Sequence, residues 1–185
     1  MKKLFLLSAC AATMWLAQAC SSASETTTGD TVAANSADTA SIVLADSVFI
    51  AKAAAGGRAE VELGNLAMAK TTNSSVKDFA NMMVTDHTRS NEELMAMAKS
   101  KSFMLADSLD GEHKAIADNL RNLSGVEFDR AYATTMVEAH QKMLSLMRTE
   151  ASTGVDANLK DFATKTAPVI QTHLEHAQRL QSGLR

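Results

Sequence analysis

The sequence predicts an all-α fold, a four-helix bundle of two αα-hairpins joined by a crossover that contains a short helix. From about residue 46 onward, apolar side chains recur with a 3.6-residue period, which indicates amphipathic helices. Proline, which disrupts helix interiors, occurs once in 185 residues, at position 168. The segment SVKDFA at 75–80 returns as NLKDFA at 158–163. Because each copy starts the second helix of a long hairpin, two hairpins and one crossover are expected.

Capping residues and breaks in the apolar period set the helix boundaries. Five helices are predicted, at about 46–71, 75–101, 109–122, 125–152 and 156–183. Ser124 and Glu127 have the spacing of a capping box at the start of the fourth helix. Gly56-Gly57 is expected to weaken or break the first helix, and Pro168 is expected to kink the last.

Residues 1–20 have the features of a signal peptide. Lys2 and Lys3 precede an apolar run, and Ala17-Gln18-Ala19 directly precedes Cys20. A cysteine at this position indicates a bacterial lipoprotein signal with Cys20 lipidated, and plain secretion is the alternative. Residues 21–44 are dominated by Ser, Thr, Ala and Asp, which predicts a disordered tether and leaves residues 45–185 for the bundle. The expected location is the bacterial periplasm, with the lipid anchored in the outer or inner membrane.

Cysteine usage and net charge limit the classes of partner that are expected. Removal of the signal would take Cys10 with it and leave Cys20 without an intramolecular partner, and lipidation would remove that free thiol. Loss of two lysines would also change the formal net charge from −3 to −5. A mildly acidic chain with no basic cluster argues against a nucleic-acid partner.

Each long predicted helix carries one ionisable side chain on its apolar face. In chain order these are Glu60, His87, His140 and His173. A helical rise of about 1.5 Å per residue puts each one roughly 18 to 28 Å from its hairpin loop, so all four can meet at one level of the bundle. Buried ionisable groups need partners, and three imidazoles with a carboxylate suit iron, zinc or copper. Asp86 and Glu138 are the predicted outer acceptors for the imidazoles.

Two other interpretations of these residues stay open. In the first, the four side chains form a hydrogen-bonded layer that fixes helix register. In the second, they respond to pH. Met136, Met143 and Met147 flank His140, and thioether ligands would favour copper(I). Methionine is also a routine filler of irregular helical cores.

Four segments carry a resemblance to a known family. They are EVELGNLAMAK at 60–70, VKDFANMMVTDH at 76–87, FDRAYATTMVEAH at 128–140 and LKDFATKTAPVIQTHL at 159–174. From about Asp46 to Leu180 the chain resembles the bacterial domain-of-unknown-function family 4142, whose members are often exported or anchored as lipoproteins. The resemblance implies a ferritin-like bundle and an envelope location, and it implies no mechanism. The family's motifs fall on Glu60 to Gly64, Asp86-His87, Phe128-Asp129 with His140 at the end of that helix motif, and His173.

The predicted function is that of an exported, lipid-anchored envelope protein, binding or stress-related, with a buried Glu/His layer that is able to hold a metal. One alternative is a metal-dependent oxidoreductase that uses the same four groups, and another is a purely structural or scaffolding lipoprotein. Catalysis is the less favoured interpretation, because the sequence has no glycine-rich phosphate loop, no Cys-x-x-Cys and no paired Glu-x-x-His sets.

Overall fold

The computed structural model describes residues 31–185, with side chains from residue 45 onward. Within that range the chain forms five α-helices and no strand, which confirms the all-α prediction. They are α1 (Thr31–Lys70), α2 (Ser74–Ser100), α3 (Gly111–Arg121), α4 (Gly125–Thr153) and α5 (Ala157–Gly183). The predicted signal peptide, the lipidation site Cys20 and residues 21–30 of the predicted tether lie outside the described residues.

Helix α1 begins earlier than predicted. It starts at Thr31, so residues 31–44, which the sequence assigned to a disordered tether, are helical. This segment is rich in alanine, the best helix former. Extending a helix that the bundle already holds requires no new nucleus. This part of the predicted tether is therefore corrected to helix.

The Gly56-Gly57 pair does not break α1, which is continuous from Thr31 to Lys70, so the predicted break was wrong. A Cβ atom at Gly56 would lie 2.5 Å from Cε of Met143, and one at Gly57 would lie 2.1 Å from Oδ1 of Asn91. Both distances are far below van der Waals contact, so only glycine lets the α4 and α2 side chains approach this closely. The intrinsic cost of the two glycines, about 1 kcal/mol each, leaves the helix continuous.

The helix starts largely follow the predicted boundaries. The side chain of Asn73 accepts hydrogen bonds from the first turn of α2, and that of Asp156 does the same for α5. Ser124 is the N-cap of α4, but its side chain makes no capping hydrogen bond. Gly125, the next residue, has a positive φ of 57°. The capping box predicted for Ser124 and Glu127 therefore does not form.

The long helices pack as two hairpins. Helix α1 lies along α2 and α4 lies along α5, while α1 against α4 and α2 against α5 join the hairpins. The face of α2 that packs into the core carries buried apolar residues, among them Val76, Phe79, Ala80, Met83 and Leu94. Helix α5 continues through Pro168. None of the helices within residues 31–185 is long and apolar enough to cross a membrane.

Candidate metal centre

The four predicted ionisable side chains meet in the interior of the bundle, one from each long helix. Their exposed fractions are 2% for Glu60, 4% for His87, 0% for His140 and 2% for His173. The imidazole centroids are 5.5 Å apart for His87 and His140, 5.3 Å for His87 and His173, and 5.6 Å for His140 and His173. Three rings at nearly equal separations surround one point.

One nitrogen of each ring faces an acceptor. A carbonyl oxygen can only accept a hydrogen bond, so the contact between His140 and Met136 requires a proton on Nδ1 of His140. The Asp86 carboxylate favours the same arrangement at His173, whereas Glu60 lies close to His87 without hydrogen-bond geometry. In chain order, the contacts are His87 Nδ1 to Glu60 Oε2 at 3.0 Å, His140 Nδ1 to Met136 O at 2.8 Å, and His173 Nε2 to Asp86 Oδ2 at 3.1 Å.

The opposite nitrogen of each ring has no hydrogen-bond partner in the described part of the chain. These buried atoms are Nε2 of His87, Nε2 of His140 and Nδ1 of His173. One ligand nitrogen from each ring can be chosen so that all three lie within 4.8 Å of one another. A buried polar atom without a partner is costly, and a ring nitrogen opposite a proton donor carries the lone pair that binds metals. The donor set therefore fits a transition-metal ion.

Glu60 lies between two of the imidazoles. Its Oε2 is 3.0 Å from His87 and its Oε1 is 3.4 Å from Nδ1 of His140. Neither contact has the geometry of a hydrogen bond, so both carboxyl oxygens stay unsatisfied within residues 31–185. Burial raises the pKa of Glu60 to about 8. Proximity alone thus joins Glu60 to the cluster, and a bound cation would relieve its burial cost.

The surroundings favour neutral imidazoles. Burial, followed by the neighbouring His140 and His173, lowers the pKa of His87 well below its usual range. Burial lowers the pKa of His140 to about 4, against an opposing effect of the Met136 carbonyl. Burial also lowers the pKa of His173, partly offset by Asp86. At neutral pH all three rings are uncharged, which is the form that binds metals.

The two predicted outer acceptors behave differently. Asp86, from α2, contacts His173 of α5 and so supports the ring on the opposite hairpin. Glu138 is exposed, and its side chain makes no polar contact with the three rings in the described residues. Met143 packs against Gly56, which is the behaviour of a core filler. The structure therefore corrects the role predicted for Glu138.

Two buried polar residues of α4 were not predicted as site residues. The hydroxyl of Tyr132 and one carboxyl oxygen of Asp129 are buried without a hydrogen-bond partner in the described residues. Burial, followed by the nearby charge of Glu60, raises the pKa of Tyr132 far above its usual range. Both belong to the FDRAY segment of α4. The sequence signals were a polar residue inside an apolar stripe and, for Asp129, its place in the family's Phe-Asp motif.

A cavity of about 160 Å³ between α2 and α5 reaches the cluster from outside. Its lining includes His87 and His173, with Asp86, Arg89 and Lys165 nearer the surface. Because α2 and α5 pack less extensively than the helices within each hairpin, this side offers a polar route to His87 and His173.

The fold and the site define an all-helical bundle protein with a buried three-histidine cluster. Residues 31–180 match the DUF4142 family, described as a domain of unknown function, and the chain belongs to that family. A solved structure described as CopM in the Cu(II)-bound form has a similar fold, with a TM-score of 0.65 and 14% identity over 76% of this chain and 97% of that chain. At that identity the likeness concerns the fold alone. No curated protein matches the sequence significantly.

Proposed function

We propose that this protein binds one transition-metal ion between His87, His140 and His173. The observation that carries the proposal is the set of three buried ring nitrogens without partners, each opposite a nitrogen that faces an acceptor. A layer built only for hydrogen bonding would be expected to satisfy these atoms, because each unsatisfied buried group costs about 1–3 kcal/mol. Metal binding satisfies all three at once.

Glu60 and Asp86 have separate parts in the proposed site. Asp86 accepts from His173 and fixes which nitrogen of that ring is free. Glu60 faces His87 and His140 and supplies a carboxylate close to the ion, as a fourth ligand or as an acceptor for the rings. When bound, the ion supplies positive charge that three neutral imidazoles lack.

Copper is the metal that the donor set favours most. Imidazole binds copper, zinc and iron, and divalent copper ranks highest in affinity at a given nitrogen site. CopM, the protein of similar fold, has been solved in a Cu(II)-bound form. Its identity to this chain is too low to transfer its ligands, so the choice of copper rests on imidazole chemistry.

The proposed setting is the bacterial envelope. The bundle is ferritin-like in its hairpins and crossover, and lipidation at Cys20 tethers it to the outer or inner membrane. The features that support this setting are the signal-like residues 1–20 and the cysteine after Ala17-Gln18-Ala19. A metal-binding bundle held at the membrane fits a role in metal storage or metal stress.

The first test is the metal content of the untagged protein after incubation with copper(II), zinc(II) or iron(II) and gel filtration. We expect close to one ion per chain, and loss of that ion in the His87→Ala/His173→Ala variant. The matched control is His176→Ala, because His176 is an exposed histidine on the same helix as His173. Wild-type protein without metal, or equal loss in the control, would contradict the proposal and favour the structural layer.

Replacing Asp86 with alanine is expected to weaken metal binding without removing the site. Loss of an outer carboxylate typically costs about 10- to 100-fold in metal affinity, so His173 should bind less tightly while the stoichiometry stays the same. Competition titration with a chelator measures the affinity. Asp78→Ala, an exposed aspartate on the same helix, should leave it unchanged, and equal effects of both variants would argue against a specific role for Asp86.

A metal-dependent oxidoreductase is the second candidate function. The cavity between α2 and α5 favours it, since it gives a small molecule a route to His87 and His173. Oxygen consumption by the copper-loaded protein in the presence of ascorbate tests it. Turnover above that of free copper, absent in the His87→Ala/His173→Ala variant, would support catalysis, and no turnover would leave a binding protein.

A further inference from the structure

The metal-facing nitrogens of the three-histidine cluster are closed off from solvent. Nε2 of His87, Nε2 of His140 and Nδ1 of His173 each have less than 1 Å² of accessible surface, and so do both carboxyl oxygens of Glu60. A hydrated cation therefore cannot reach these atoms while the four long helices stay packed. Folded proteins open locally at a lower free energy than global unfolding requires. Binding and release of an ion thus need two of the helices to separate for a short time.

The pair of neighbouring long helices that packs least is α2 with α5. The helices within each hairpin pack extensively, and α1 with α4 pack to an intermediate extent. Helix α3 also packs on α1 and on α4, and no comparable element lies on the boundary between α2 and α5 within residues 31–185. Local opening takes place where few contacts have to be broken. This boundary, the α2–α5 seam, is therefore the one that opens at the lowest free energy.

Two cavities already separate α2 from α5 along the seam. One, of about 540 Å³, lies between the start of α2 and the end of α5, where its lining includes Phe79 of α2 and Leu180 of α5. The other is the cavity of about 160 Å³ at the level of the cluster. Its lining includes Ser90, Glu93 and Thr166, whose side-chain oxygens carry lone pairs. These oxygens can replace water molecules around a cation as it passes.

Two polar contacts of the described residues hold the seam closed. Oδ2 of Asp86 on α2 lies 3.1 Å from Nε2 of His173 on α5, at the cluster itself. Lys101, the C-cap residue of α2, forms an ion pair with Asp156, the N-cap residue of α5. The two side chains of this pair are only 21% and 22% exposed, so water weakens the pair only in part. The larger seam cavity lies at the other end of α2, so the helices separate from that end and the ion pair limits the separation.

The opposite side of the bundle is covered. A cavity of about 900 Å³ lies there between α1 and α4, and its lining includes Glu60. Residues of the crossover and of α3 form the outer wall of this cavity. Arg58 of α1 donates to the carbonyl oxygens of Ala106 and Asp107, at 2.5 and 2.9 Å, and so ties the crossover to α1. An opening on this side would have to displace the crossover as well as the helices.

We propose that a metal ion enters and leaves the three-histidine cluster through transient separation of α2 from α5, which breaks the contact between Asp86 and His173. The inference rests on the proposed metal-binding function and adds the step that controls how fast the site fills and empties. The separation itself is a property of the chain and takes place with or without metal. An ion held behind such a seam exchanges slowly, which suits retention of the ion.

The first test compares exchange rates in variants of the two sides. Lys101→Ala removes the ion pair of the seam, and Arg58→Ala is the matched control because it removes the crossover contacts between α1 and residues 106–107. Stopped-flow absorbance follows binding of copper(II) to the metal-free protein and its removal by excess chelator. We expect Lys101→Ala to raise both rate constants about threefold, the effect of losing one partly exposed ion pair, with an unchanged dissociation constant. Arg58→Ala should exchange copper as the wild type does.

The dissociation constant stays the same because opening speeds entry and exit equally, while the closed site keeps all of its ligands. Unchanged rates in Lys101→Ala would overturn the proposal. Faster exchange in Arg58→Ala alone would place the route between α1 and α4, which also contradicts it.

Filling the cavity at the level of the cluster should have the opposite effect. Ser90→Leu places a larger, apolar side chain on the proposed route, so copper(II) should bind about threefold more slowly while the stoichiometry stays at one ion per chain. Ala55→Leu is the matched control, because Ala55 lines the cavity between α1 and α4. Wild-type rates in Ser90→Leu, or equal slowing in both variants, would rule out the seam as the route.

A readout without metal separates this proposal from the metal centre. Diethyl pyrocarbonate modifies unprotonated imidazole nitrogens that it can reach, and mass spectrometry reports each histidine separately. In metal-free protein we expect His87 and His173 to react much more slowly than the exposed His176, and Lys101→Ala to speed their reaction about threefold. That result in a protein that binds no metal would overturn the metal centre and keep the opening. Stoichiometric metal, with reactivity that Lys101→Ala leaves unchanged, would overturn the opening and keep the metal centre.

Discussion

Addition of copper(II) at about a thousand times its dissociation constant is expected to raise the free energy of unfolding of the metal-free protein by about 4 kcal/mol. The ion binds nitrogens that only the folded bundle brings together, so binding favours the folded state. For a chain of this size the corresponding rise in Tm is about 8–16 °C. Differential scanning calorimetry at several copper concentrations measures it, and the rise should grow with the logarithm of concentration.

The His87→Ala/His173→Ala variant is the matched control for this rise in Tm. It keeps His140 and Glu60 but lacks two of the three nitrogens, so copper should change its Tm little. His176→Ala should respond as the wild type does. A similar rise in all three proteins would mean that copper binds elsewhere, and a fall in all three would mean preferential binding to the unfolded chain.

Acid is expected to destabilise the metal-free protein through the same histidines. Their pKa values in the folded state lie below the unfolded value of about 6.5, so the unfolded chain binds more protons at acid pH. The stability that this difference contributes is present above pH 6.5 and is lost as pH falls toward the folded pKa, about 4 for His140. A shift of that size corresponds to about 3 kcal/mol for His140 alone.

Glu60 contributes a pH dependence of stability with the opposite sign. Its pKa is raised to about 8 in the folded state, so its contribution is full below the unfolded value near 4.5 and is lost as pH rises through 8. Between pH 4.5 and 6.5 the gain in stability from the three histidines exceeds the loss from Glu60, and above pH 6.5 Glu60 alone of these four groups still titrates. The metal-free protein should therefore be most stable near pH 6.5.

Urea unfolding of chelator-treated protein between pH 4 and 9 measures this profile. His140→Leu removes one of the titrating groups, so the slope of the free energy of unfolding against pH in the acid range should fall by the equivalent of about one bound proton, whatever the overall stability of the variant. A profile that is flat between pH 4 and 6.5, or an acid limb that the variant leaves unchanged, would show that the buried histidines do not titrate as their burial requires.

Much of the fold was predictable because the sequence signals of a helix lie within the helix itself. The 3.6-residue period, the turn at Asn73 and the repeated KDFA motif depend on residues close in sequence, and the boundaries of α2 to α5 agree with them within about two residues. The four ionisable residues were predictable for the same reason. Each one interrupts an apolar stripe, and helical rise alone places them at one height.

Other features were outside the reach of local patterns. Gly56-Gly57 looked like a helix breaker because its intrinsic cost is visible in the sequence, whereas the close approach of Met143 and Asn91 that requires it is not. Residues 31–44 lack the apolar period of a packed helix, yet they continue α1. Alanine propensity and an existing helix are sufficient there.

The sequence by itself determined an all-helical bundle of the DUF4142 family, with one glutamate and three histidines facing its core. Only the tertiary structure decided which nitrogen of each imidazole is free, that Asp86 supports His173 from the other hairpin, and that Glu60 also lines a large cavity. The physical reason is that hydrogen-bond partners and cavities arise between helices. They depend on the rotation and spacing of whole helices against one another, which periodicity along one helix does not specify.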